Sequence, residues 1–382
     1  MTQPEIIKSR MGFIVQEVRR RLFGMAFGPF YLLILGLAVL QNGVWYSPLA
    51  RQYLLMSKDI FRNPFLGETA IEWVTSSFLG PALAYYTSMN RSLLSYCILQ
   101  LAIFLVGFTA LILVVRHRNG DFIARTVLIV FFLSPLPHVL FTWLGAPDIL
   151  TTLLSMVIVV FWGNPVAAMI GGFLLGVNHP EQGATAMLLL TLFSLLTRRI
   201  RDTVAFALAG VGSLILGAWA VQWFFTRHNF DIVFTRVDYI IGMGLPAFLR
   251  SALSEPFALL FSLYNALILF VAVYLWFFWR KGRLAVAFVS CSLLAFVSIL
   301  FTLDQTRVFA ILTFPPLLLL VMSPSFQEME PTQKEFFESV LAIAFIAGIL
   351  IPRFVVWNGS VSSSAYAHII AYLHAPSGPL PP

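Results

Sequence analysis

Three short polar motifs carry nearly all the chemistry this sequence offers. They are "GAPDILTTLL" from Gly145, "NHPEQGAT" from Asn178 to Thr185, and "LDQTRVF" from Leu303 to Phe309. Between them they hold Asp148, His179, Glu181, Asp304 and Arg307, all set in otherwise apolar surroundings. A positioned carboxylate can take the proton from an attacking hydroxyl. A guanidinium can grip a phosphate through two parallel N–H bonds, and an imidazole can donate to phosphate or sugar. Asp59, in an earlier aromatic-rich stretch, adds one more acid to the candidates.

A plainer account of the same residues exists. Asp148, Glu181 and Asp304 each sit where a helix would begin, and an acid there complements the helix dipole for about 0.3–1 kcal/mol. Asp304 and Arg307, three residues apart, could simply neutralise each other. The convergence of three such motifs on one side of the molecule, with His179 and Arg307 among them, argues for more, because a charge at membrane depth is costly and tends to mark function.

The elements that must position these residues follow from composition. The chain has 382 residues, 59% hydrophobic and 11% charged, against about 25% charged in soluble domains. An all-α, polytopic membrane bundle forming a single integral-membrane domain over residues 1–382 is therefore expected, with no polar stretch long enough to fold by itself. Apolar runs near the roughly 20 residues that a crossing requires fall at about 25–42, 93–115, 126–144, 148–162, 165–177, 183–197, 203–225, 257–279, 284–302, 308–323 and 337–352. They predict about eleven spans, with the pair split by "GNP" the shortest. Cys97 and Cys291 lie inside such runs and read as small core hydrophobes.

Base collects in the short connections "RHRNGDFIAR", "TRRIRD" and "WRKGR" and in residues 1–24. The positive-inside rule then places the N-terminus in the cytoplasm, and the net charge of +7 needs no nucleic acid to explain it. Two long loops fall on the outer side, 43–92 and 226–256. Their mix of aromatics and scattered charge suits re-entrant or interfacial helices. On this topology all three polar motifs open helices that run inward from the outer surface, with Pro147 and Pro180 as first-turn prolines. Residues 358–382 read as a tail. No Walker A loop, GxGxxG turn, CxxC pair or HExxH helix is present, which argues against soluble nucleotide chemistry and a structural metal.

In this arrangement the chain resembles the GT-C superfamily, the integral-membrane glycosyltransferases that use polyprenyl-phosphate-linked sugars. The likeness lies in the number of spans, the large first outer loop, the second outer loop past the middle and the acidic motifs at outer helix ends. "GAPDILTTLL" is similar to the Gly-x-(Pro)-Asp helix start of mannosyltransferase-like members, and "NHPEQ" and "DQTRV" look like the polar outer motifs of bacterial relatives. Members usually carry a catalytic Asp immediately after the first span, whereas "QNGVWYSPLARQYLLMSKDIF" holds no acid before Asp59.

The resemblance implies transfer of a sugar from a polyprenyl-phosphate carrier, such as undecaprenyl phosphate, to a glycan or lipid acceptor of the cell envelope, in a bacterial inner membrane. It implies Asp59, with Asp148 and Glu181 as rivals, for the catalytic base. His179, Asp304 and Arg307 would bind the phosphate and sugar. No cofactor is implied; an acid cluster could hold a divalent ion, though a phosphate-linked donor needs none in principle. A flippase or transporter of a lipid-linked saccharide, or an O-antigen-type polymerase, would use the same headgroup contacts.

Overall fold

The computed structural model describes residues 3–65, 69–230, 232, 235–279 and 282–363. The tail residues 364–382, and Arg280 and Lys281 of the basic connections, lie outside the described residues. The chain is all-helical. It opens with α1 (Gln3–Gly24), α2 (Phe27–Asn42), α3 (Ala50–Lys58), a 3-10 turn at Thr69–Ser76, α4 (Leu79–Tyr86) and α5 (Leu93–Asn119). The middle holds α6 (Asp121–Leu133), α7 (Leu136–Thr142), α8 (Asp148–Val160), α9 (Pro165–Asn178), α10 (Pro180–Thr197) and α11 (Ile200–Arg227). After α12 (Arg236–Met243) and α13 (Leu245–Leu253) come α14 (Pro256–Tyr264), α15 (Leu267–Phe278), α16 (Arg283–Ile299) and α17 (Gln305–Val321). The chain closes with α18 (Pro324–Gln327), α19 (Pro331–Leu350) and a hairpin of β1 (Phe354–Trp357) and β2 (Ser360–Ser363).

Helix starts follow local chemistry. Ser92 accepts from the Ser95 N–H and Ser95 Oγ from the Ser92 N–H, a capping box at the head of α5. Pro165, Pro180, Pro256 and Pro331 stand in first turns, where a missing N–H costs nothing.

The spans are less uniform than hydropathy implies. Among the described residues, α5 and α11, of 27 and 28 residues, are each long and apolar enough to cross a membrane alone. Three more crossings exist if bent pairs count as one: α1–α2 at 117°, α6–α7 at 68° and α14–α15 at 75°. Helix α8, with 13 residues, is about 20 Å long at 1.5 Å per residue, short of a roughly 30 Å hydrocarbon core. Eleven full-length crossings are thus not what these helices show. Each apolar run did become helix, but hydropathy sums composition and is blind to direction. At Ser134–Pro135 the 126–144 run turns, because proline has no N–H to continue α6.

Both long loops fold into short helices, and the first is tied to the core. Tyr46 and Leu144 form a parallel bridge, with Ser47 N–H donating to Leu144 O at 2.8 Å and Trp45 N–H to Phe141 O at 2.9 Å. The reading of residues 358–382 as tail is corrected in its first part: residues 358–363 complete the β1–β2 hairpin, which docks on the head of α17. There Val356 N–H donates to Thr306 Oγ1 at 2.9 Å and Asn358 N–H to Leu303 O at 2.7 Å.

Candidate functional site

The first residues of α8, α10 and α17 converge, and these three helices pack on one another. Gly145, at φ +85°, turns the chain into α8 where a Cβ would lie 2.7 Å from the Ala50 Cβ, so only glycine fits both the backbone and the space. Pro147 then takes the N-cap position rather than the first turn. Asn178, the last residue of α9, locks this corner: its Nδ2 donates to Pro147 O at 3.0 Å and to Thr151 Oγ1 at 2.9 Å.

At the centre lies Arg307. Its Nη1 donates to Asp148 Oδ2 at 3.2 Å and its Nη2 to Asp304 Oδ2 at 2.7 Å, and its guanidinium stacks on Trp143 at 4.4 Å from the ring centroid. Asp148 is 1% exposed and Arg307 11%. Neither Asp148 nor Asp304 caps its own helix; both carboxylates are turned to the guanidinium instead. The sequence-neighbour ion pair is therefore real, but it is half of a three-charge cluster that joins residues 159 positions apart. Arg307 Nε has no hydrogen-bond partner.

Beside this cluster is a cavity of about 200 Å³, lined by Tyr53, His179, Glu181, Gln182, Thr302 and Arg307 among others. The first long loop contributes Tyr53 and the second Ile240. His179 Nδ1 lies 3.0 Å from Glu181 Oε2, close enough for an ion pair but off the angle of a hydrogen bond. The Glu181 side chain is 43% exposed, so of the acids in the three motifs it is the one that a ligand in the cavity reaches. Burial raises the Tyr53 phenol above its ordinary value, with the neighbouring Ser77 side chain pulling the other way, and Tyr53 stays a neutral donor.

Of the six residues singled out, five share this corner of the molecule: Asp148, His179, Glu181, Asp304 and Arg307. Asp59 does not. It caps a turn through Phe61 N–H at 3.0 Å, pairs with Arg62 at 3.5 Å, and lines no part of the cavity. Its nomination rested on the resemblance, and the fold directs it elsewhere. Tyr53, Trp143, Asn178 and Gln182 were not foreseen. Asn178 and Gln182 at least flank the nominated His179 and Glu181, whereas Tyr53 and Trp143 are two aromatics among many. Among the described residues no group of three or more His, Cys, Asp or Glu is placed to hold a metal ion.

The chain matches no protein-family model, and no curated protein or solved structure is similar to it. The functional reading therefore stands on this geometry.

Proposed function

We propose that the protein is an integral-membrane glycosyltransferase of the GT-C kind, multi-pass in a bacterial inner membrane with its N-terminus cytoplasmic. It takes one sugar from a polyprenyl-phosphate carrier and passes it to a glycan or lipid acceptor at the outer face. The observation that carries this reading is Arg307, fixed by two carboxylates at the wall of a small polar cavity that also holds the accessible acid Glu181. The cavity, at about 200 Å³, is smaller than the roughly 300–1,000 Å³ of pockets for drug-sized ligands. It suits a single sugar ring better than the oligosaccharide that a polymerase or an oligosaccharide flippase handles.

On this reading the acceptor hydroxyl attacks the anomeric carbon, its proton passes to the Glu181 carboxylate, and the bond from anomeric carbon to phosphate oxygen breaks with its electron pair leaving on the phosphate. Arg307, at the cavity wall, meets that phosphate with its guanidinium. Asp148 and Asp304 are positioning residues that hold the guanidinium still. His179 keeps Glu181 in place, and Tyr53 donates to a sugar hydroxyl or phosphate oxygen. No metal step is required.

The test is transfer from a radiolabelled polyprenyl-phosphate sugar by purified protein. Glu181→Gln is expected to lower kcat by about 10²–10⁴-fold, the usual worth of a general base. Arg307→Lys, which loses the planar fork, should also fall, while Asp59→Asn should stay close to wild type. Near-normal turnover in Glu181→Gln and Arg307→Lys with intact expression would remove the site. Movement of the labelled lipid between leaflets without a new glycosidic bond would make the protein a transporter.

A further inference from the structure

The far ends of the same helices border a second, larger cavity, open on one side, and its chemistry is the reverse of the first. It measures about 610 Å³ and lies where α8, α10 and α17 terminate, reached by Val160, Thr197 and Met322. Helix α10, with 18 residues, places it about 27 Å from the Glu181 end at 1.5 Å per residue. Three arginines line it, Arg118, Arg198 and Arg283, and no acid does. Among the described residues none of the three forms an ion pair with a carboxylate.

The residues that follow α8 hold two of these cations. Arg118 stacks on Phe161 at 5.4 Å, and Arg198 on Trp162 at 5.5 Å. Arg198 also lies so close to Gly163 that a Cβ there would come within 2.7 Å of its Nη2. Arg118 Nη1 donates to Val160 O at 2.7 Å, which is one of a guanidinium's five N–H groups. Opposite them, Ser323 is 4% exposed and its Oγ, beside the Tyr274 hydroxyl, has no hydrogen-bond partner of normal geometry. Much of the remaining wall is apolar, with Val159, Phe193, Leu284 and Leu319, and Asn119, Thr197 and Ser325 add polar groups.

Arg118 and Arg198, at the ends of α5 and α10, also complement the helix dipoles, and for those two that would suffice. That account leaves the cleft itself, its apolar side chains and Arg283, which begins α16 rather than ending a helix, unexplained. A phosphate carried on an apolar tail explains all of them. The guanidiniums take the oxygens, and the apolar side chains of the wall meet the first methylenes. Basic pockets between membrane helices bind anionic headgroups in this way.

We infer that the cavity bounded by Arg118, Arg198, Arg283 and Ser323 is a binding site for the phosphate headgroup of an anionic phospholipid from the leaflet on that side. It is separate from the Arg307 site and does not depend on the reaction proposed there.

The experiment titrates the purified full chain in zwitterionic micelles with phosphatidylglycerol, with phosphatidylcholine of the same acyl chains, and with inorganic phosphate. Bound lipid is counted by native mass spectrometry. Phosphatidylglycerol is expected to bind at least tenfold more tightly than phosphatidylcholine. The double variant Arg198→Gln/Arg283→Gln should weaken phosphatidylglycerol about 25-fold, at about fivefold for each charge lost. The double variant Arg198→Lys/Arg283→Lys, which keeps the charge, should stay within about threefold and shows that the helix ends remain folded. Equal binding of the two lipids, or an anionic preference untouched by the glutamine variant, overturns the inference. Displacement of phosphatidylglycerol by an equal concentration of inorganic phosphate overturns the lipid assignment in favour of a free anion.

Discussion

Replacing Gly176 with alanine tests the packing that sets the site's geometry. Helices α9 and α11 form the most extensive helix pair in the molecule, and glycines let their backbones touch, as small residues do between membrane helices. A Cβ at Gly176 would stand 2.1 Å from Leu214 O, and one at Gly172 2.2 Å from Gly210 O. Real Cβ atoms essentially never come closer than 3.0 Å, so Gly176→Ala must part the backbones by about 1 Å. Overpacking of this kind costs about 1–3 kcal/mol. With about 2.1 cal/mol/K of unfolding entropy per residue, 2 kcal/mol lowers the melting temperature of a chain this long by about 2–3 °C. Because Asn178 follows two residues on and bonds to Pro147 O and Thr151, the same shift should loosen the corner that carries Asp148. The matched control is Gly212→Ala, on α11 with nothing within 4 Å of the added Cβ. It should be neutral or stabilising by up to about 1 kcal/mol through helix propensity. Tryptophan-fluorescence melts of both variants in one detergent decide the matter. If Gly176→Ala melts with wild type, or the two variants behave alike, the close approach of α9 and α11 is wrong.

Three further outcomes are expected. Arg125, 4% exposed, donates to Leu22 O at 2.7 Å and Met25 O at 2.6 Å across the α1–α2 bend; Arg125→Met should cost about 3–6 kcal/mol by urea titration, at about 1.5–3 kcal/mol per charge-assisted bond. Thr306→Val leaves the buried Val356 N–H without its acceptor, and a loss of about 1–3 kcal/mol, with the hairpin exchanging amide hydrogens sooner, is expected. At Asp121, burial pushes the carboxyl up but Arg125 and Arg116 outweigh it and hold it below its usual value. A depressed acid stabilises the folded chain above the unfolded pKa of about 3.9, and that contribution is lost as pH falls through the folded value. Asp121→Asn should therefore flatten the acid side of the stability profile, and an unchanged profile would show that the ion pairs contribute nothing.

The starts of α8, α10 and α17 were legible because the signals are local: an acid at the head of an apolar run, with a proline beside it in α8 and α10, means the same thing in any context. Their meeting was only an expectation, since nothing in a sequence states that residues 148 and 307 touch. The α14–α15 break was hidden because Asn265, at φ +48°, is a single polar residue that lowers the mean hydropathy of a long apolar run only slightly. The hairpin did have a signal. Asn358-Gly359, at φ 48° and 73°, is the dipeptide that two-residue hairpins of the primed type prefer, and it stands between "FVVW" and "SVSS".

The charge balance of the Arg307 cluster says how the proposed reaction would draw on it. Two carboxylates on one guanidinium leave the cluster one negative charge in excess, and Glu181 adds to that. Such a site holds a phosphodiester weakly in the ground state, and affinity for the donor has to come from its lipid tail. Breaking the sugar–phosphate bond changes this, because the leaving phosphate gains charge as the transition state forms. A guanidinium already fixed at the cavity wall by Asp148 and Asp304 meets that developing charge without reorganising. Interactions that strengthen only in the transition state raise kcat rather than lower KM. The two acids that compete with the ligand for the guanidinium are, on this account, what keeps Arg307 a catalytic group instead of a binding one.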